Sequence, residues 1–156
     1  MRGEDEASLP RAGRLLGLDL GAARIGVAVS DSAQQIALAH EVLRRSGDPS
    51  ADRVAIAELV AEFGAIGVVV GLPRSLSGAL GPAAIGALAE VTALRAVLEV
   101  PVVTVDERFS TVEATRRRQE TGTSRRRRRR PIDDVAAAVL LQGFLDRAQH
   151  RRSMSS

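Results

Sequence analysis

Three acidic positions in this chain fall where elements of structure begin or end: Asp19, the pair Asp106-Glu107, and the pair Asp133-Asp134. Asp19 lies near the end of the apolar run Leu15–Leu20, and strand alternation puts it on one face with Leu15, Gly17 and Gly21. A carboxylate on such a face is costly to bury unless it is paired or binds a cation. Asp106-Glu107 closes a second run, Val102–Val105. Successive strand residues point to opposite faces, so one member of that pair can look toward Asp19. Asp133-Asp134 opens a helical segment just after Pro131, where an acid also serves to cap free N–H groups and complement the helix dipole.

Strand ends and a helix start can converge at the carboxyl edge of an open α/β sheet, the usual place for a site. Two carboxylates ~4 Å apart repel by roughly 4 kcal/mol at an effective dielectric of 20. Three together must protonate or hold a cation. Oxygen-only ligands suit Mg2+ or Mn2+ rather than zinc. A pair of such ions can activate water and stabilise the leaving oxygen of a phosphodiester. The constellation predicts a metal-dependent nuclease.

Composition removes most other chemistry. The 156 residues include no Cys, so disulfides, thiolate catalysis and thiolate zinc sites are excluded. His40 and His150 are far apart in the chain, which disfavours a histidine-built metal centre. All 22 basic residues are Arg, a usage that base composition of the genome explains and that excludes a P-loop or Schiff-base lysine. Aromatics make up 2%, too few for a surface that stacks bases on rings. Charge is unevenly spread: residues 1–107 carry 9 Arg against 14 acids, whereas residues 108–156 carry 13 Arg against 5 acids. A polyanionic partner reached from the C-terminal third follows from that asymmetry. No stretch resembles a signal peptide or approaches the ~20 apolar residues of a bilayer span, so a cytoplasmic protein without membrane contact is expected.

The elements that must position the acids follow from the apolar period. Leu15–Leu20, Ile25–Ser30 and Ile36–Leu43 read as strands, with a hairpin around Gly21–Arg24. Ala51–Phe63 has helical spacing, with Val54, Ile56, Leu59, Val60 and Phe63 largely on one side. Ile66–Val70 reads as a buried strand, and Gly71-Leu-Pro73 after it as a turn or a loop that substrate approaches. Pro82–Leu98 is helical, Val102–Val105 a strand, Thr111–Gln119 a polar helix, Thr121–Arg130 a loop and Pro131–Gln149 a closing helix. Residues 1–13 and 151–156 read as disordered tails around a single domain, 14–150. Three consecutive strands want antiparallel pairing, and the later strand–helix–strand units want parallel crossovers. The expected fold is α/β: a mixed five-stranded sheet flanked by helices.

Four motifs occur in order: Gly17-Leu-Asp-Leu-Gly-Ala-Ala-Arg-Ile-Gly-Val-Ala-Val-Ser-Asp31, Gly71-Leu-Pro with Gly78, Val105-Asp-Glu-Arg-Phe-Ser-Thr111, and Ile132-Asp-Asp-Val-Ala-Ala137 with Leu141-Gln142. Across about residues 14–147 the sequence closely resembles the YqgF family, bacterial proteins described as Holliday-junction resolvases or pre-16S rRNA nucleases. The resemblance implies an RNase H-like fold and a nuclease holding Mg2+ or Mn2+, with two ions expected. It places the family's catalytic and metal-binding acids on Asp19, Glu107 and Asp133, with Asp134 at a position that varies. Arg24, Arg108, Ser110 and Thr111 match positions expected to face substrate. Phe109 stands where the family more often has Leu, and the arginine run replaces a mixed Lys/Arg segment.

The runs Arg116–Arg118 and Arg125–Arg130 cannot pack in a core. They are either a solvated loop or a clamp on phosphates beside the site, in which Arg125, Arg126, Arg127 and Arg128 would hold the strand without reading its sequence. The implied substrate is precursor rRNA, with ribosomal particles as partners and a monomer or weak homodimer as the assembly. Cleavage of branched DNA is the rival within nucleases. A non-catalytic ribosome-assembly factor is the rival outside them, disfavoured by the joint presence of Asp19, Glu107 and Asp133. A sugar-kinase or chaperone-type ATPase would need two such domains to enclose its nucleotide.

Overall fold

The computed structural model describes residues 9–73, 81–106 and 135–155. The β-branched and leucine-rich runs form β1 (Leu15–Leu20), β2 (Arg24–Ser30), β3 (Ala37–Arg44), β4 (Gly67–Leu72) and β5 (Val102–Asp106). Between and after them lie α1 (Pro49–Phe63), α2 (Pro82–Val97) and α3 (Ala136–Ser155). The strands make one sheet in the order β3-β2-β1-β4-β5. Pairing is antiparallel for β1–β2 and β2–β3, and parallel for β1–β4 and β4–β5. The expected mixed sheet is what forms, because short turns link the first three strands while helices carry the chain into β4 and β5.

Local signals explain the element ends. The β1–β2 turn closes when Gly21 N–H donates to the Arg24 carbonyl at 2.8 Å, and a Cβ on Gly21 would sit 2.8 Å from that same oxygen. Only glycine fits there. Asp48 caps α1, its side chain accepting from Ser50 N–H at 3.0 Å, with Pro49 opening the first turn. Gly64 ends that helix in the left-handed region at φ 61°. At the end of α2 the Arg95 guanidinium donates twice to the Val102 carbonyl, at 2.7 and 3.0 Å, fixing where β5 begins.

Each face of the sheet has its own core. Leu16, Leu18, Ile25, Val27, Val68, Val70 and Val102 pack against Ile56 and Leu59 of α1 and Val91 and Leu94 of α2. Leu15, Ala28, Val69, Val103 and Val105 pack against Ala136, Ala137, Leu140, Leu141, Phe144 and Leu145 of α3. Gly17 lets that helix lie close, since a Cβ there would come within 2.9 Å of Leu141 Cβ and 3.4 Å of the Ala137 carbonyl oxygen. Among the described residues no helix is long and apolar enough to cross a membrane.

Several expectations change. The N-terminal segment is structured from Leu9, which is buried in the α3-side core, and Gln34 Nε2 donates to the Pro10 and Gly13 carbonyls at 2.9 and 3.0 Å. The closing helix runs through Arg151 to Ser155 rather than ending in a tail, with Arg152 donating to Gln34 Oε1 at 3.2 Å. The polar sequence of that stretch hid a helix end held by polar partners. β4 includes Gly71 and Leu72, so Gly71 is a strand residue rather than a turn or approach loop, its ladder with β5 outweighing the local turn signal. Val54 is 56% exposed, so the buried stripe of α1 is narrower than its apolar content. The expected helix at Thr111–Gln119 and loop at Thr121–Arg130 lie outside the described residues.

Candidate active site

Asp19 is the fifth residue of β1 and only 6% exposed. Alternation along β1 keeps it on the α3 side with Leu15 and Gly17. Across the antiparallel ladder it pairs with Gly26. On its other flank β1 and β4 are in register through Leu18 and Val70, so the next step of the strands brings Gly71 alongside Asp19. Gly17 precedes Asp19 and Gly21 follows it along the chain. The carboxylate thus stands among four backbone positions without side chains, an arrangement that suits close approach of another chain.

The β4–β5 register resolves the first acidic pair. Gly71 pairs with Val105, which belongs to the α3-side core, and Leu72 pairs with Asp106. Asp106 therefore stands on the α1–α2 face, opposite Asp19. Both carboxylates share the carboxyl edge of the sheet without sharing a side of it. Arg24, exposed at the start of β2, lies two residues before Gly26 and hence on the Asp19 face. The structure brings Asp19 and Arg24 to one edge of one face and turns Asp106 away.

Helix α3 runs antiparallel to β1 over this face. Ala137 and Leu141 cover Gly17 near the Asp19 end. Further along, Gln142 accepts from Ala37 N–H and donates to the Gln35 carbonyl, both at 2.9 Å. Gln149 donates to the Gln34 carbonyl at 2.9 Å, at the other end of the sheet. The N-terminus of α3 thus opens at the edge where Asp19 stands, and a helix N-terminus favours negative charge.

Glu107, Arg108, Ser110, Thr111, Arg125, Arg126, Arg127, Arg128 and Asp133 lie outside the described residues. Among the described residues no three His, Cys, Asp or Glu side chains come together in a metal-binding group. Asp19 supplies the hard oxygen donors that Mg2+ or Mn2+ prefers. Among the described residues, two carboxylates are held below their usual range; both lie elsewhere and have local causes. Asp31 accepts from the Ile36 and Gln35 backbone N–H groups, and Asp52 from the Ser46 N–H and hydroxyl.

One participant at this edge escaped the sequence reading. Arg45, just past β3, donates through Nε to the Gly21 carbonyl at 2.8 Å and through Nη1 and Nη2 to Glu90 of α2 at 3.1 and 2.9 Å. In a chain whose basic residues are all arginine, nothing in its local sequence marks it.

Residues 13–147 match the RuvX family, described as a Holliday junction resolvase. A protein of Cereibacter sphaeroides named "Putative pre-16S rRNA nuclease" is 46% identical over 141 residues, covering 90% of this chain and 88% of its own length. Proteins of the same name from Paracoccus denitrificans and Nocardia farcinica are 44% and 43% identical, covering 90% and 91% of this chain and 88% and 82% of their own. Among solved structures, Thermus thermophilus RuvC in complex with Holliday junction substrate superposes with a TM-score of 0.54 at 18% identity, over 88% of this chain and 96% of that one. That likeness is one of fold.

Proposed function

This chain belongs to the RuvX family and is a nuclease of RNase H-like fold; we propose that Asp19, Glu107 and Asp133 are its catalytic acids and that it matures the 5′ end of precursor 16S rRNA. The observation that carries this reading is Asp19 itself: a carboxylate 6% exposed, among glycines, at the edge where β1, β4, β5 and the α3 N-terminus meet. The other two assignments have support from neighbours in the chain. Val105 shares the Asp19 face, and Glu107 follows two residues later in the Asp-Glu-Arg sequence that matches the family's motif. The buried stripe of α3 is Ala136/Ala137, Leu140/Leu141 and Phe144/Leu145. Asp133 stands three residues before Ala136, where α3 begins, at the place of the helix-start aspartate in the family's Ile-Asp-Asp motif.

These three carboxylates would hold Mg2+ or Mn2+, with two ions the expected complement. Bound there, the metal supplies water activation and stabilisation of the leaving oxygen. The chain's own part is to bind and orient. The glycine-lined edge admits the nucleic-acid backbone, while Arg24, Arg108, Ser110, Thr111 and Arg125, Arg126, Arg127 and Arg128 hold phosphates. A cytoplasmic monomer or weak homodimer acting on ribosomal particles fits this reading. The family's description as a Holliday junction resolvase makes branched DNA the second substrate to test.

The test is purified protein with Mg2+ or Mn2+ on precursor rRNA ends, linear single strands and four-way junctions in parallel. Precursor ends should be cut, and Asp19→Asn should lower cleavage at least about 100-fold, the scale of removing one element of a preorganised electrostatic site, with the fold intact. Full activity of Asp19→Asn, or cleavage under stringent chelation, refutes the site. Cleavage of junctions alone moves the substrate to DNA.

A further inference from the structure

Arg45 joins three elements through one side chain. Its backbone N–H donates to the Ala23 carbonyl at 2.9 Å and its Nε to the Gly21 carbonyl at 2.8 Å, so both ends of the β1–β2 turn are held from the same residue. Its two terminal nitrogens meet both carboxylate oxygens of Glu90, the fork geometry in which an arginine is pre-organised. Glu90 lies on α2, which packs on the face away from Asp19. Gly21 follows Asp19 by two residues.

We propose that Arg45 is a positioning residue for the nuclease reaction: gripped by Glu90, it clamps the Gly21 turn and thereby fixes where the Asp19 carboxylate points. The inference rests on the reading of Asp19 as a catalytic acid. A purely structural role predicts something different. The Arg45 and Glu90 side chains are 20% and 38% exposed, and ion pairs so open to water contribute little to global stability. A reacting group displaced by a fraction of its proper geometry, in contrast, loses rate steeply. Lysine cannot take over, because a single ammonium lacks the fork that grips Glu90 with two nitrogens while a third reaches Gly21.

The experiment compares wild type, Arg45→Ala, Arg45→Lys, Glu90→Gln and Asp19→Asn on a 5′-labelled single-stranded RNA with Mn2+. It reads kcat and KM, the melting temperature, and amide hydrogen exchange at Gly21. Arg45→Ala should lower kcat about 10- to 100-fold with KM nearly unchanged. Its melting temperature should barely move, and the Gly21 amide should exchange faster. Arg45→Lys should fall between wild type and Arg45→Ala in both kcat and exchange. Glu90→Gln, which keeps one acceptor, should show the weakest effect. Wild-type kcat in Arg45→Ala overturns the proposal, as does a loss that merely follows the folded fraction or an unchanged Gly21 exchange rate. Asp19→Asn separates the two claims: if it is inert while Arg45→Ala is fully active, only the clamp fails. If Asp19→Asn is active, the site itself is wrong and the clamp falls with it.

Discussion

Asp19 and Asp106 end at the same edge of the sheet and stand on opposite faces of it. The parallel register that pairs Gly71 with Val105 and Leu72 with Asp106 makes this so. The residue after Asp106 then carries the catalytic expectation. Substituting Asp106 by Asn should leave turnover within a few-fold of wild type, whereas Glu107→Gln should cost at least about 100-fold. The same comparison at the helix start should give a larger loss for Asp133→Asn than for Asp134→Asn. Single-turnover cleavage rates at saturating metal measure all four, and a greater loss at Asp106 or Asp134 reverses the assignment.

Gly17 should tolerate no side chain. A methyl there meets Leu141 Cβ at 2.9 Å, tighter than real contacts allow, so α3 must shift. Gly17→Ala should destabilise by about 1–3 kcal/mol, the usual cost of overpacking a core. Gly86→Ala is the control of opposite sign. That site in α2 is exposed with nothing within 4 Å of the added carbon, so the variant should gain about 0.5–1 kcal/mol of helix stability. Urea unfolding of both variants decides it.

Asp31 should make stability depend on acid. Its carboxylate accepts from the Ile36 and Gln35 N–H groups, which hold its pKa below the usual range. The folded pKa is the lower one, so this contribution is present above the unfolded value, about pH 4, and is lost as pH falls through the folded value. Asparagine keeps both acceptor bonds but no charge. Asp31→Asn should melt lower than wild type at pH 6 and converge with it at pH 2. Parallel melting curves across that range would show that the charge adds nothing.

Arg125–Arg130 should govern salt dependence. If all six hold phosphates of a single strand, they contribute about −4 to the slope of log affinity against log salt, at roughly −0.7 each. Replacing the run with Gly and Ser should weaken binding and flatten that slope. Cleavage preference among sequences should not change, because phosphate contacts carry none. An unchanged slope identifies the run as a solvated loop.

Strands were legible wherever short apolar runs, leucine-rich at Leu15–Leu20 and β-branched at Val102–Asp106, met glycine or proline. Their burial between two helical layers makes the apolar signal continuous and strong. Asp19 was legible for the same reason, an acid where the pattern demands an apolar residue. Polar ties were not. Gln34, at φ 58° and 2% exposed, binds Pro10, Gly13, Gln149 and Arg152, yet a glutamine between strands has no periodic signature. The Arg45–Glu90 pair joins residues 45 positions apart, a distance that propensity and period do not register. The helical run past Gln149 failed on the same ground: its partners are polar and remote in sequence.

The placement of α3 also orders events in time. The helix packs on β1, β2 and β3, the first strands made, and Gln142 bonds to Ala37 across 105 residues. Synthesis runs from the N-terminus at roughly 5–20 residues per second. The antiparallel meander can therefore form while the ribosome is still working, but the sheet face bearing Asp19 stays uncovered until residues 136–155 emerge. A chain that stops before residue 136 lacks both the cover of that core and the helix start beside Asp19, so on the proposed site it should not cleave. The face that bears Asp19 is the last part of the sheet to be covered.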